Sequence, residues 1–270
     1  MVTKQYVSYK GAWIFKGNPH DSCRLSRKEC KTLLNQRKDS LFVRNTYEFD
    51  TINESSFWYV IKDLFYGLDE FSPKVRNQIK KSLKTYTVKK ISSFEMLELG
   101  YPIFCAAIES YKVKAQAITK ADFEKRVKGE KDNTDYWMAF EKESNTPVAL
   151  SINTVYTESC EYNTMKAIPS YLRNSTYPYY GLIFEMDRYY LEDKKLKYVN
   201  DGSRSITEHS GIQQFLIEKF KFRKAYCHLQ VYYKWWIRII VFLLYPFRKL
   251  IPIQSIKSVL NMEAMRRNKI

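Results

Sequence analysis

One polar segment, residues 200–210, holds three side chains that could carry proton transfer and anion binding. Asp201 can act as a general base or anchor an amine, and His209, which titrates near neutral pH, is a second candidate base. Arg204 can bind a phosphate or a carboxylate through two parallel hydrogen bonds. Each residue also has a simpler interpretation. Asp201 can be a turn residue before Gly202, His209 a helix-start residue, and Arg204 a partner in a surface ion pair. The segment therefore predicts either a catalytic centre or an ordinary polar loop.

A row of positive charge lies on a predicted helix that begins with Ser72 as N-cap and Pro73 in the first turn. Arg76, Lys80 and Lys84 recur every four residues, so they share one face of this helix, which contains no acid. Like charges at this spacing repel one another. The row indicates an anionic ligand, such as the phosphates of a donor molecule, with a solvated helix face as the alternative.

The C-terminal tail is both basic and aromatic. Residues 222–270 contain ten Lys and Arg and a single acid, a local charge of +9, and an uncharged apolar run covers residues 239–247. This run is too short to span a bilayer, which needs about 20 residues. Aromatic and basic flanks instead predict a segment that lies on an anionic membrane surface. The expected contacts are Trp235, Trp236, Phe242, Arg248 and Lys249. The alternative is a helix docked on the protein core.

Composition limits the functional classes. The chain has 270 residues, a formal net charge of +16 and 45% hydrophobic residues, so it can bury a core and should attract phosphate-rich partners. It has no nucleophile elbow, phosphate-binding loop or dinucleotide fingerprint, so hydrolase, nucleotidase and dehydrogenase functions lack motif support. His20, Cys23 and Cys30 lack further ligands at zinc spacing, so we expect no metal. The five scattered cysteines and the polar N-terminus predict a cytoplasmic protein with free thiols, peripheral at the inner membrane face.

These groups must be positioned by an α/β arrangement. Periodicity over residues 87–233 predicts the order β-α-α-β-β-β-α-β-α-β, an antiparallel meander followed by a crossover helix and a parallel strand. The predicted domains are an N-terminal partial α/β region (1–86), this central domain (87–233) and the tail (234–270). We also expect one helix over residues 177–191, a break near Pro102 and a single final strand over residues 223–233. Ligands in such sheets favour the crevice where the strand pattern switches.

The element order and one local sequence resemble the GNAT acyltransferases. In that family the fourth helix ends in a Leu-Tyr-Glu-Lys-x-Gly-Phe pattern, and residues 211–223 of this chain are similar to it. The matching residues are Leu216, Glu218, Lys219 and Phe222. Ile217 stands where the family often has its general-acid Tyr, and Lys221 stands where it has Gly. The resemblance implies that Tyr226 replaces the missing hydroxyl, with core packing of this ring as the alternative.

The family's acyl-CoA pyrophosphate loop is absent before the helix near Tyr177, where only Arg173 and Gly181 are similar to it. This departure resembles the divergent Fem-type branch, the aminoacyl and peptidoglycan-bridge transferases. The resemblance implies a mixed central sheet of GNAT type flanked by helices, with an N-terminal partial α/β half and a C-terminal amphipathic tail. It also implies a parted pair of strands beside a helix N-terminus, which can hold a carbonyl donor and stabilise an oxyanion.

The implied activity is transfer of an acyl or aminoacyl group to an amine, on a cell-surface glycan or a lipid-linked precursor. The implied donor is acyl-CoA or aminoacyl-tRNA. The residues expected to hold the donor phosphates are Arg76, Lys80, Lys84, Arg173 and Arg204. The alternative is a non-catalytic basic protein that binds RNA or anionic lipid on a degenerate acyltransferase fold.

Overall fold

The computed structural model describes residues 5–110, 118–130, 132–206 and 211–268. The chain divides into two compact units. The first unit comprises residues 1–60, 203–214 and 223–270, and the second comprises residues 61–202 and 215–222.

The regular elements follow one another in a mixed α/β order. The strands are β1 (Tyr6–Tyr9), β2 (Ala12–Phe15), β3 (Phe42–Tyr47), β4 (Trp58–Lys62), β5 (Tyr86–Ile91), β6 (Thr134–Glu141), β7 (Pro147–Val155), β8 (Ser159–Ala167), β9 (Tyr198–Ser203), β10 (Arg223–Tyr226) and β11 (His228–Tyr233). The helices are α1 (Arg27–Asn35), α2 (Pro73–Thr85), α3 (Ser93–Glu109), α4 (Lys120–Lys128), α5 (Pro169–Arg173), α6 (Pro178–Asp187), α7 (Gly211–Phe220), α8 (Trp235–Leu244) and α9 (Gln254–Arg266).

The first unit is built on a sheet with the strand order β1-β2-β3-β11. β1 and β11 pair antiparallel with their neighbours, whereas β2 and β3 are parallel. α1 begins with a capping box, in which Ser26 and Glu29 satisfy each other's backbone N–H groups. Its buried Leu33 and Leu34 pack with Trp13 and Val43 of the sheet. This cluster forms one of the apolar cores of the first unit.

The C-terminal helices also belong to the first unit. Val241 and Tyr245 are buried against Leu260 and Ala264, so α8 is held by its inner side on α9. In the described part of the chain no helix combines the length and the apolarity that crossing a bilayer requires.

The second unit contains the predicted meander. β5, β6, β7 and β8 pair antiparallel in sequence order, and β9 then pairs parallel with β8. Within this unit the strand order is β9-β8-β7-β6-β5. α3 and α4 pack on it through a core that includes Met96, Phe123, Met138 and Leu150. The predicted fold class, a mixed sheet flanked by helices with a partial N-terminal α/β half and a C-terminal helical tail, is confirmed.

Three details of the predicted elements differ in the structure. The expected single strand over residues 223–233 is two strands in different sheets, because the buried Cys227 leaves the ladder and its N–H donates to the Phe57 carbonyl at 3.0 Å. α3 runs unbroken through Pro102, held by its buried face. The helix expected over residues 177–191 ends as an α-helix at Asp187, and a π-helical turn follows over Arg188–Asp193.

Candidate active site

The strands β8 and β9 separate after a short paired stretch. Their pairing is confined to Ser159 with Tyr198, Cys160 with Val199, and Glu161 with Asn200. β8 nevertheless continues beside β7 as far as Ala167. Beyond the last pair, alternate N–H and C=O groups on the β9 side of β8 therefore face a gap in the sheet, which we call the slot. The resemblance noted in the sequence implied a parted pair of strands, and the short β8–β9 pairing agrees with it.

A buried amide occupies the point where the strands part. Asn200 is 1% exposed, and its Nδ2 donates to the Cys160 carbonyl at 3.1 Å. Its Oδ1 accepts from the Gly202 N–H at 3.0 Å. Gly202 has a φ of +77°, a conformation that favours glycine, so β9 can turn away from β8 there. The side chain of Asn200 thus satisfies backbone groups that a continuing strand pair would otherwise satisfy.

The N-terminus of α6 lies at the same end of the sheet, because α6 connects β8 to its parallel neighbour β9. Several of its amide donors are already engaged. Pro178 has no N–H, the Tyr180 N–H donates to the Tyr177 carbonyl at 2.9 Å, and the Gly181 N–H donates to the Ser82 hydroxyl at 3.0 Å. These residues therefore do not form a cradle of free backbone amides that could bind a pyrophosphate.

Gly181 is required by the close approach of α2 to α6. A Cβ at this position would lie 2.6 Å from Ser82 Oγ. We expect Gly181→Ala to lower the free energy of unfolding by about 1–3 kcal/mol, the usual cost of overpacking. Chemical denaturation measures this loss.

The matched control is Gly211→Ala, where an added Cβ meets nothing within 4 Å. It should leave stability unchanged or slightly raised. Ser82→Ala removes the clashing hydroxyl and should recover part of the loss in the Gly181→Ala chain. Equal stability of the two alanine variants would contradict the close approach.

A buried ionic cluster ties α6 to the sheet beside the slot. The Lys62 ammonium lies 3.0 Å from Asp187 Oδ2 and 2.8 Å from Glu70 Oε1, and the Tyr162 hydroxyl donates to Asp187 Oδ1 at 2.9 Å. The side chains of Lys62 and Asp187 are only 2% and 0% exposed. Tyr162 is the first residue of β8 beyond the last pair with β9. The cluster therefore fixes the last residue of α6 to β8 where the slot begins.

Burial dominates the protonation equilibria of this cluster. It raises the pKa of the Asp187 and Glu70 carboxyl groups, and attraction to the Lys62 ammonium offsets part of that rise. Burial and the nearby Asp187 carboxylate also raise the pKa of the Tyr162 hydroxyl. Groups so fully enclosed serve to position the helix and the strand.

The predicted catalytic residues fall in different parts of the chain. Asp201 is half-buried on β9, directly after the last pair with β8, and so borders the slot. His209 lies outside the described residues. Tyr226 is in the first unit, where its ring packs edge to face on Trp58 and its hydroxyl donates to Glu54. Desolvation, followed by this carboxylate, raises the pKa of the Tyr226 hydroxyl.

The predicted phosphate-binding residues also separate. Arg204 stacks on the same Trp58 ring, so the structure brings it together with Tyr226. Arg173 is exposed at the end of α5, and Lys80 and Lys84 are exposed on α2. Arg76 is turned back onto its own segment, where its Nε donates to the Leu68 carbonyl at 3.1 Å.

Comparison with known proteins identifies the architecture. No protein-family model and no curated protein matches the sequence. Among solved structures, FemX superposes with a TM-score of 0.51 at 9% identity, covering 72% of each chain. L-PGS from Bacillus licheniformis gives a TM-score of 0.53 at 11% identity, covering 88% of this chain and 83% of the other. The chain has the fold of FemX and L-PGS, which we call the Fem-type fold.

A third structure shares the Fem-type fold. It is the C-terminal domain of a putative lysylphosphatidylglycerol synthetase from Agrobacterium fabrum, with a TM-score of 0.50, 8% identity and coverage of 83% of this chain and 79% of that one. At such identities the likeness is one of fold.

Proposed function

We propose that this protein is a transferase that moves an acyl or aminoacyl group from a phosphate-bearing donor to an amine at the inner face of a membrane. The observation that carries the proposal is the separation of β8 from β9 after Glu161 and Asn200. The gap leaves backbone N–H groups of β8 facing an opening at the end of the sheet where α6 begins, which suits a carbonyl that becomes an oxyanion.

The reaction needs few groups from the protein. The amine nitrogen attacks the donor carbonyl carbon, a C–N bond forms, and the bond from that carbon to the donor's oxygen or sulfur breaks. The amine proton must leave and the departing group must gain one. Asp201, which borders the slot, is the proposed acceptor of the amine proton. His209 remains the second candidate base.

The engaged amides of α6 favour an aminoacyl ester on tRNA over acyl-CoA as the donor. The Gly181 N–H is held by Ser82, and Pro178 offers no donor, so the residues there fit the pyrophosphate of CoA poorly. A tRNA donor would instead be attracted by the net charge of +16.

The acceptor is proposed to sit at a membrane. α8 and the residues after it expose large apolar side chains, including Trp235 at 75%, Phe242 at 70% and Leu250 at 80%. Residues 219–262 contain no acid, which suits an anionic surface. One structure of the same fold is named as a putative lysylphosphatidylglycerol synthetase, which supports an aminoacylated acceptor of the membrane, a lipid or a lipid-linked precursor.

The test is a transfer assay with radiolabelled aminoacyl-tRNAs and, in parallel, acyl-CoAs, in the presence of anionic vesicles that contain amine-bearing lipids. We expect label to pass from an aminoacyl-tRNA to the lipid fraction. Asp201→Asn should lower kcat at least tenfold, whereas Asp39→Asn, an exposed carboxylate paired with Arg37, should not. Absence of transfer from every donor would contradict the enzyme proposal and favour the non-catalytic alternative.

A further inference from the structure

One half-buried guanidinium in the first unit has no partner within the chain. Arg44 lies on β3, in the interior of the sheet, where it pairs with Ile14 of β2 on one side and with Val231 of β11 on the other. Among the residues that the structure describes, none forms a hydrogen bond or an ion pair with the Arg44 side chain. Its charge is therefore not compensated by this part of the protein.

The other half-buried arginines in the described part of the chain differ from Arg44 in this respect. Each has a backbone carbonyl, a carboxylate or an aromatic ring as its partner; they are Arg76, Arg188, Arg204, Arg248 and Arg267. A guanidinium has five N–H donors, and partial removal from water is costly unless acceptors replace the water. The donors of Arg44 are therefore available to an acceptor that the chain does not supply.

The face of the sheet around Arg44 is apolar and aromatic. Side chains alternate along β3, so Arg44 lies on the same face as Phe42. Phe42 is buried in a core cluster, and the partly buried Ile14, Val231 and Tyr59 pack against that cluster. Because Ile14 and Val231 are the direct cross-strand neighbours of Arg44, they border its side chain with apolar groups.

The electrostatic surroundings of Arg44 favour a ligand with one negative charge. Burial has the largest effect on the pKa of this guanidinium and lowers it, and the hydroxyl groups of Tyr59 and Tyr9 raise it. No carboxylate and no second cation of the described chain acts on it. Arginine stays protonated at neutral pH in spite of such a shift. One positive charge matches a carboxylate better than a phosphate monoester, which carries about two negative charges at that pH.

We propose that Arg44 binds the carboxylate of an organic acid that has an apolar body. A planar carboxylate can accept two parallel N–H bonds from the guanidinium, and the apolar body can pack against Ile14 and Val231. The inference goes beyond the proposed transfer reaction, because none of these residues belongs to the strands that form the slot.

The first measurement is an NMR titration of the full chain with hexanoate, which joins a carboxylate to a short alkyl chain. The reporter is the Nε–H resonance of Arg44, assigned by its loss in Arg44→Lys. We expect this resonance to shift saturably with hexanoate and to stay unchanged with hexanamide, the neutral isostere. Hexyl phosphate should bind more weakly than hexanoate. Equal or tighter binding of hexyl phosphate would overturn the assignment to a carboxylate.

Variants separate a binding site from a structural role, with the Kd measured by saturation transfer to the hexanoate protons. Arg44→Lys keeps the charge but lacks the fork of donors, so it should bind hexanoate at least tenfold more weakly. Arg44→Met should abolish binding and be at least as stable as the wild type, because it removes an uncompensated charge. Arg37→Lys, at an exposed ion pair in the same unit, should leave the Kd unchanged.

The proposal is overturned by an absence of saturable hexanoate binding, or by wild-type affinity in Arg44→Lys. A less stable Arg44→Met chain that still binds hexanoate would also overturn it and assign Arg44 a structural role. If Arg44→Met does not fold, Arg44→Lys decides the question alone. The outcome is independent of the transfer assay, because these titrations need no turnover.

Discussion

Replacement of Lys62 by methionine is expected to lower the free energy of unfolding by about 3–5 kcal/mol at pH 7, the usual loss when one partner of a buried ion pair is removed. Methionine keeps an unbranched side chain only one atom shorter than that of lysine but leaves Asp187, at 0% exposure, and Glu70 without the Lys62 cation. Chemical denaturation followed by far-UV circular dichroism measures the loss.

The loss should depend on pH in a defined direction. Without Lys62, burial alone acts on the two carboxyl groups, so their pKa values in the folded variant rise further above the unfolded values. A raised folded pKa of an acid penalises the folded state at high pH, and the penalty disappears as the pH falls through that pKa. The difference between the variant and the wild type should therefore be larger at pH 8 than at pH 5.

The matched control is Lys197→Met. Lys197 lies 2.7 Å from a carboxylate oxygen of Glu158, but its side chain is 62% exposed. Because exposed pairs contribute little, its removal should change stability by less than about 1 kcal/mol. Adding Asp187→Asn and Glu70→Gln to Lys62→Met should recover part of the loss. Similar losses of stability for Lys62→Met and Lys197→Met, or a stability loss in Lys62→Met that does not depend on pH, would contradict the buried ionic cluster described above.

The second large effect is expected at the outward face of α8 and the segment that follows it. The triple change Trp235→Ser, Phe242→Ser and Leu250→Ser should weaken binding to phosphatidylglycerol vesicles at least about a hundredfold. A large side chain moved out of water contributes about 1.5 kcal/mol or more, and each 1.4 kcal/mol is a factor of ten. Val241 and Tyr245, which hold α8 on α9, are untouched, so the fold should survive. Vesicle co-sedimentation measures the affinity.

Two controls distinguish membrane binding by this face from non-specific hydrophobic adsorption. Tyr9 and Ile52 are 58% and 99% exposed in the same unit, and their replacement by serine should not alter binding. Arg248→Gln with Lys249→Gln should weaken binding to anionic vesicles by about 1 kcal/mol per charge, with a smaller effect at high salt. If the triple variant still co-sediments with vesicles as the wild type does, the proposal that this face binds a membrane is contradicted.

The strands of the second unit's sheet could be predicted from the sequence, whereas the buried contacts between charged side chains could not. Alternation and turn residues sufficed for β6, β7 and β8, because each of these strands pairs with its neighbour in the chain. The division at Cys227 was missed, since nothing local marks a strand that changes sheets. Nothing in the local sequence marks Lys62 or Asp187 as a buried charge. These two residues meet across 125 positions, and a single sequence carries no signal for such a contact.

The candidate site shows the same limit. Asp201 was singled out because it lies in a polar segment directly before a glycine, which is local information; its catalytic role stays a prediction. Arg204 was singled out for its charge, but its position on the Trp58 ring, which Lys224 also contacts, depends on three segments far apart in the chain. Nothing in the local sequence distinguishes Trp58 from an ordinary strand residue. Long-range packing determines which side chains meet in such a cluster, and composition alone cannot predict it.

The amide of Asn200 has a kinetic consequence. Because it bonds the Cys160 carbonyl and the Gly202 N–H, the fork between the two strands is complete in the resting chain. A substrate that enters there does not have to break hydrogen bonds between the two strands, and its binding does not require a prior hinge motion. We therefore expect association in a single exponential phase whose rate rises linearly with substrate concentration, accelerated by opposite charge and slowed by added salt.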